Sequence, residues 1–393
     1  MPFVLPYTLL DSERIALVLA YGKLSVLEAC TILGRSIERL EAPIERVSVL
    51  HMVDIQKEQI RKLAGSHKCA PIISVLESTD GDQSLLLNKM QSVLEEKSNV
   101  SLSGYDIDED DYEGLVRSML DGLREAGLKK ARLLRPSNNE LLSEEVISRK
   151  AFDVIAFPYQ SGFALGPTVW VPDAASMRYR GTRKPAPRSE IALSPRLART
   201  LVNLSGLQQG QTLLDPFCGS GTILMEAYDK SIRCLGLDSS ASRVKEAREN
   251  LRWSTGGMAD PRFDVRKGDA RDLKRMLRGS KVDAIVTEPF LLPRLEARPK
   301  TSTARAMVEQ SAVVYNDALE SMAESTVRGG RIIVVVPVVQ TMDGDEVTLA
   351  LDGRRVGLRH YQPGPVGFDY PVRLSFESTR WVKRAVYVFE SRS

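Results

Sequence analysis

Cysteine and histidine are scarce in this chain and clustered nowhere. The four cysteines, Cys30, Cys69, Cys218 and Cys234, include no C-x-x-C pair, and the three histidines stand far apart. A disulfide framework or a structural zinc site is therefore not expected, no metal is called for, and a reducing cytoplasm is the compartment that fits. Long apolar runs are missing too. The chain starts Met1-Pro2 with no basic segment leading into an uninterrupted apolar core, so neither a signal peptide nor a membrane span is expected. Nor does one sign of charge dominate: 54 basic and 51 acidic residues leave a net charge of +3. That balance does not announce nucleic-acid binding, although it can conceal a local basic patch.

What is present is the composition of a globular protein, and 393 residues exceed what one hydrophobic core usually holds. Residues 1–78 read as a ferredoxin-like α+β unit. Apolar Ile15–Ala20, Ile37–Leu40, Val47–Val53 and Ile72–Leu76 are separated by two helices in the order β-α-β-β-α-β. Ser25-Val26-Leu27-Glu28 reads as a capping box starting the first helix. Residues 79–171 form a second unit, with helical spacing at Leu115, Met119, Leu120 and Leu123 and strands at Ala131–Leu134, Val154–Phe157 and Thr168–Val171. The acidic run Asp106–Asp111 reads as a solvated helix start. Residues 172–192 read as a proline-stiffened basic linker. From 193 onward strands and helices alternate, which predicts a doubly wound, Rossmann-like parallel sheet. Within it Ser194-Pro195 starts a helix that Gly206 ends, and Val372–Phe376 with Ala385–Phe389 suggests an antiparallel edge pair.

The strongest chemical signal is Leu213-Leu214-Asp215-Pro216-Phe217-Cys218-Gly219-Ser220-Gly221-Thr222, a strand passing through a glycine loop into a helix. The glycines allow a tight turn and close approach to a ligand. The third glycine of a dinucleotide fingerprint is absent and an acid closes the strand, so a cationic, zwitterionic ligand suits the place better than a pyrophosphate. Asp238 closes the next strand, where an acid can bridge ribose hydroxyls. Asp269, after strand Phe263–Lys267, can accept from an adenine amino group. Three acids at three successive strand ends should converge on one crevice. Capping of the following helices is the alternative role for Asp215 and Asp238. Cys218 reads as a packing residue, and His51 and His67 as structural ones.

These residues resemble the class I methyltransferases, and more narrowly the THUMP-containing tRNA guanine-N2-methyltransferases of the guanine-10 type. The likeness rests on Asp215–Thr222 and on the preceding helix Leu193–Leu204; Leu63–Ala70 is similar to the glycine turn before the THUMP region. It implies S-adenosyl-L-methionine as cofactor, held by Asp215, Phe217, Cys218, Gly219, Gly221, Thr222, Asp238, Ser239, Asp269 and Ala270. It also implies a THUMP-like RNA-binding unit over residues 79–171 and tRNA as partner. The catalytic motif should follow the fourth strand, where similar enzymes carry D-P-P-Y or N-P-P-Y. This chain has Thr287-Glu288-Pro289-Phe290 there, with the acid displaced by one place.

An exocyclic amine is a poor nucleophile because its lone pair is delocalised; acceptors for its hydrogens would aim that pair, and an aromatic ring would stack on the base. Thr287 with a main-chain carbonyl could hold the amine while Glu288 assists, Glu288 could itself face the substrate, or transfer could be impaired. Arg178, Arg180, Arg183, Lys184 and Arg188 are the expected phosphate contacts. Two rivals remain at this point: a DNA amino-methyltransferase, and a non-catalytic tRNA-binding protein.

Overall fold

The computed structural model describes residues 12–52, 57–94, 98–136, 138–186, 193–290, 292, 295–363, 367–375 and 381–392. The described chain divides into two compact units, one reaching Ala175 and the other beginning at Ser176.

The first unit holds two sheets. In one, β1 (Arg14–Leu19), β2 (Ile37–Ile44), β3 (Val47–Met52) and β4 (Ser66–Pro71) lie in the antiparallel order β2-β3-β1-β4. With α1 (Lys23–Leu33) and the single turn α2 (Lys57–Ile60) this is the ferredoxin-like arrangement. The fourth strand is not the expected Ile72–Leu76, because the chain leaves the sheet at Pro71 and β5 (Ser74–Leu76) pairs elsewhere. Val53 lies outside the described residues.

The capping box is also corrected, since α1 begins at Lys23 and places Ser25 and Glu28 inside the helix. Both side chains are buried and grip the turn before β4. Glu28 Oε1 and Oε2 accept from the N–H groups of Ala64 and Gly65 at 3.0 and 2.7 Å, and Ser25 Oγ donates to Gly65 O at 2.5 Å.

The second sheet runs β5-β9-β8-β6-β7, with β6 (Asn99–Gly104), β7 (Arg132–Leu134), β8 (Ala151–Tyr159) and β9 (Gly162–Pro167). Here too the strand expected at Thr168–Val171 falls earlier, at β9. Of the helices α3 (Ser84–Gln91), α4 (Glu109–Glu125) and α5 (Ser143–Ser148), the longest is α4, which buries Leu115, Met119 and Leu123. Its start is capped as the acidic run suggests, with Asp108 Oδ1 accepting from Asp111 N at 2.9 Å. Ala16, Val18 and Val49 of the first sheet and Ile155, Phe157 and Ala164 of the second share one apolar core. Beside it Lys68 Nζ donates to Asp153 Oδ2 at 2.8 Å with both side chains fully buried. Asp153 accepts in addition from Ser101, Ser103 and Thr168 hydroxyls.

Helix α6 (Ala174–Thr182) spans the boundary between the units, so the stretch read as a linker is helical over those nine residues. Then α7 (Pro195–Leu204) starts at Ser194, whose Oγ accepts from Leu197 N at 3.2 Å. The sheet is assembled from β10 (Thr212–Asp215), β11 (Arg233–Asp238), β12 (Phe263–Lys267), β13 (Val282–Thr287), β14 (Thr326–Gln340), β15 (Glu346–Thr348), β16 (Leu358–His360), β17 (Val372–Arg373) and β18 (Val382–Ser391). Its order is β12-β11-β10-β13-β14-β18-β16, with β15 on β14 and β17 on β18.

Strands β10 to β14 are parallel and are joined through α8 (Thr222–Tyr228), α9 (Ala241–Ser254), α10 (Leu273–Met276) and α11 (Thr301–Ser325). This is a Rossmann-like α/β fold whose strand order reverses at β10, the place where open sheets leave a crevice at their carboxyl ends. The tail forms the expected antiparallel pair, with Val372 opposite Val386 and Arg373 opposite Ala385, but β18 also runs antiparallel between β14 and β16, inside the sheet and not at its edge. Phe376 lies outside the described residues. Among the described residues no helix is long and apolar enough to cross a membrane, and no three His, Cys, Asp or Glu are grouped to hold a metal ion.

Candidate active site

Strand β10 runs Thr212-Leu213-Leu214-Asp215. Leu213 and Leu214 are fully buried, and Asp215 then stands at the carboxyl end between β11 and β13. Its Oδ1 accepts from Phe217 N at 3.2 Å and from Thr287 Oγ1 at 2.7 Å. Burial raises the Asp215 carboxyl to about 7; the two donors pull it down, while Asp238 and Glu288 push it further up.

The loop beyond is tied to β11, with Cys218 N donating to Leu237 O at 2.8 Å and Gly219 N to Asp238 Oδ2 at 3.0 Å. Gly221 precedes α8 at φ +82, and a Cβ there would stand 3.2 Å from Ala247 Cβ, so both backbone angle and packing call for glycine. Asn250 on α9 donates to Ser220 O at 2.8 Å. The Cys218 thiol is pushed well up, chiefly by burial and then by Asp215 and Asp238, which keeps it protonated and inert.

A pocket of about 480 Å³ opens here, lined by Leu193, Asp215, Phe217–Ser220, Thr222, Ile223, Asp238, Ser239, Arg243, Glu288–Phe290 and Leu292. The structure thus brings the glycine-loop acids and the motif after β13 into one cavity. Asp238 does not cap α9, whose N-cap is Ser240: its Oδ1 accepts from Ser240 N at 2.9 Å ahead of the helix, and its carboxylate borders the pocket.

Asp269 is not brought in. Arg271 binds its carboxylate and holds it at about 2, and neither Asp269 nor buried Ala270 is among the lining residues. Gly221 also stays behind the lining. Thr287 is fully buried and gives its hydroxyl to Asp215, whereas Glu288 stands at the pocket wall. Arg384 Nε on β18 donates to Glu288 Oε1 at 2.6 Å. Phe290 is 70% exposed, an open ring at the pocket mouth.

The basic segment divides. Arg178 and Arg183 face solvent. Arg180 instead forms a two-pronged pair with Glu226, at 2.7 and 3.0 Å, on a carboxylate that Arg199 shares. Lys184 is buried, with Nζ donating to Thr222 Oγ1 at 3.0 Å and Ser220 Oγ at 3.2 Å, so its ammonium braces the glycine loop. Arg188 lies outside the described residues.

Ser220 sits within the motif and could have been read from it, and Ile223 directly follows it. Leu193 opens the segment Leu193–Leu204 on which the likeness rests, whereas nothing local marks Arg243 or Leu292, nor Arg384, which meets its acid across 96 residues.

Residues 178–343 match the family model of the RMKL-like methyltransferase domain. The tRNA (guanine(10)-N2)-dimethyltransferase of Methanothermobacter thermautotrophicus is 40% identical over 146 residues, 37% of this chain and 39% of that protein. The enzyme of the same name from Pyrococcus abyssi is 33% identical over 183 residues, 47% of this chain and 49% of that protein. The matched stretches therefore span less than half the length of these curated relatives. TrmN from Thermus thermophilus has a TM-score of 0.53 at 17% identity, over 96% of this chain and 99% of that one, which is a likeness of fold. The residues that line the pocket all fall within the stretch that matches this family model.

Proposed function

We propose that this protein methylates the exocyclic N2 of a guanine in tRNA, using S-adenosyl-L-methionine. The observation that carries the reading is the single cavity shared by Asp215, Asp238 and the glycine loop on one side and Glu288, Pro289 and Phe290 on the other. The name of the two relatives supplies the substrate class.

A buried carboxyl poised near neutrality, beside two further acids, fits a cofactor bearing positive charge. When bound, that cofactor supplies an activated methyl group. The residues of the chain do the rest: Asp215 and Asp238 hold a cation and hydroxyls, Phe290 offers a stacking face, and Glu288 accepts from the amine to aim its lone pair. The unit that ends at Ala175, whose residues 79–171 read as THUMP-like, would hold the tRNA. Its exposed Lys129, Lys130, Arg132 and Lys150 lie at or just before the starts of the parallel strands β7 and β8, at the same end of the sheet. The test is mass spectrometry of nucleosides from unmodified tRNA incubated with protein and labelled cofactor. N2-methylguanine is expected, and label on adenine, on duplex DNA, or nowhere would replace the reading.

The state of Asp215 gives a pH dependence. Below about 7 the carboxyl is neutral and above it charged. A cationic ligand prefers the charged form, so affinity should climb by up to about tenfold per pH unit below 7 and level off above it. Calorimetry of cofactor binding to the native chain checks this; a flat profile would remove Asp215 from the binding role.

Changing Lys129, Lys130 and Lys150 together to Gln should flatten the salt dependence of tRNA affinity by about 0.7–0.9 in log–log slope for each phosphate no longer neutralised. Arg178 and Arg183, also exposed, should add to this effect. An unaltered slope would show that these cations lie outside the RNA footprint.

A further inference from the structure

We propose that Arg384 is a positioning residue for Glu288, holding this displaced acid where it can accept from the target amine. The inference rests on the methyl-transfer reading above.

Its basis is a charge pair where the fold does not ask for one. Glu288 is the first residue beyond β13, and Arg384 lies on β18, opposite Pro337 of the intervening β14. At about 4.8 Å per strand spacing, the two chains are separated by the full width of β14, so the guanidinium must reach across a strand to meet the acid. It does so with Nε to Oε1 at 2.6 Å, the two side chains being 7% and 14% exposed.

A nearly buried ion pair of this kind is commonly no more stabilising than apolar residues of the same volume, whereas either partner alone in the same place is costly. Stability is thus a weak reason for the pair, and its place in the pocket wall offers a stronger one. Tyr315 on α11 adds a second observation. Its hydroxyl is buried and has no partner among the described residues, and burial together with the charge of Glu288 pushes its titration upward. The acid is thus paired with a cation, and its charge reaches a buried phenol. In a side chain with three rotatable bonds, such fixing is what turns a carboxylate at the pocket into an oriented acceptor.

In the transfer step the amine nitrogen forms its bond to the methyl carbon as the carbon–sulfur bond breaks. The proton that the nitrogen then sheds passes to Glu288 and on to water. Paired with Arg384, the carboxylate stays charged as the acceptor throughout the approach.

The experiment is a double-mutant cycle on the full chain with unmodified tRNA, measuring kcat, KM and cofactor affinity for Arg384→Met, Arg384→Lys, Glu288→Gln and the double variant Arg384→Met with Glu288→Gln. If Arg384 acts through Glu288, Arg384→Met should lower kcat by about tenfold or more while KM and cofactor affinity move by less than about threefold. Arg384→Lys should recover part of the rate, and the double variant should be no slower than Glu288→Gln alone. Melting curves on the same four proteins report the coupling of the pair independently of turnover.

Multiplicative losses in the double variant, or an Arg384→Met protein as fast as the native one, would overturn the positioning role and leave the methyl-transfer reading standing. A native protein that methylates no RNA would overturn both.

Discussion

Glu288→Gln should lower turnover by about a hundredfold or more, the usual scale for losing a positioned proton acceptor, and leave cofactor affinity nearly unchanged. The amide keeps size and one acceptor but loses the charge, and Asp215 and Asp238, which form the other side of the pocket, are untouched. Thr287→Val should behave in the opposite way. Its hydroxyl is spent on Asp215 at 2.7 Å, so its loss removes a donor that lowers the Asp215 carboxyl and should weaken cofactor binding below about pH 7 before it touches the chemical step. Phe290→Ala should cost about 1–3 kcal/mol of base stacking, seen mainly in KM for tRNA. Steady-state kinetics and calorimetry on the three variants separate these roles. A fully active Glu288→Gln beside a dead Thr287→Val would move the orienting function from the carboxylate to the hydroxyl and backbone.

Asp153→Ala should be the most destabilising single change in the first unit, by about 3–5 kcal/mol, because it strands the Lys68 ammonium in a site with no exposure. Asp153 also anchors three hydroxyls, from Ser101, Ser103 and Thr168, so β6 and the segment after β9 lose their polar tie in the same substitution. Such a loss is a large part of the roughly 5–15 kcal/mol that holds an ordinary domain together. Replacing both charges, Lys68→Met with Asp153→Leu, should recover much of it. Urea unfolding of the three proteins is the measurement, and an Asp153→Ala protein as stable as the native chain would show that the pair is solvated in solution.

The sequence was most legible where one residue type answers one local demand. Strands β10, β11 and β13 show themselves as largely apolar runs closed or followed by an acid, Asp215, Asp238 and Glu288. The Ser194 and Asp108 caps were readable because a cap needs only its own turn. It was least legible where a local motif has a distant partner. Ser25 and Glu28 have the spacing of a capping box, yet their partners are the backbone of residues 64 and 65. Arg180 and Lys184 look like solvated cations until Glu226, Ser220 and Thr222 fold against them. Asp269 has the right place on its strand, but Arg271, two residues on, takes its carboxylate. At Thr287-Glu288 the sequence left the division of labour open, because the pairs that orient these side chains span 72 and 96 residues.

The central position of β10 also has a consequence in time. Its partner β11 follows after one short helix, whereas its other partner, β13, arrives much later; Thr212 N donates to Asp283 Oδ2 across 71 residues. Closing the larger loop costs more entropy and is the slower event. During refolding the wall formed by Asp215, Gly219 and Asp238 is thus a local and early product, and the wall formed by Glu288, Pro289 and Phe290 a late one. A chain halted between the two stages carries the acids suited to hold a cation, but not yet the acid that meets the base.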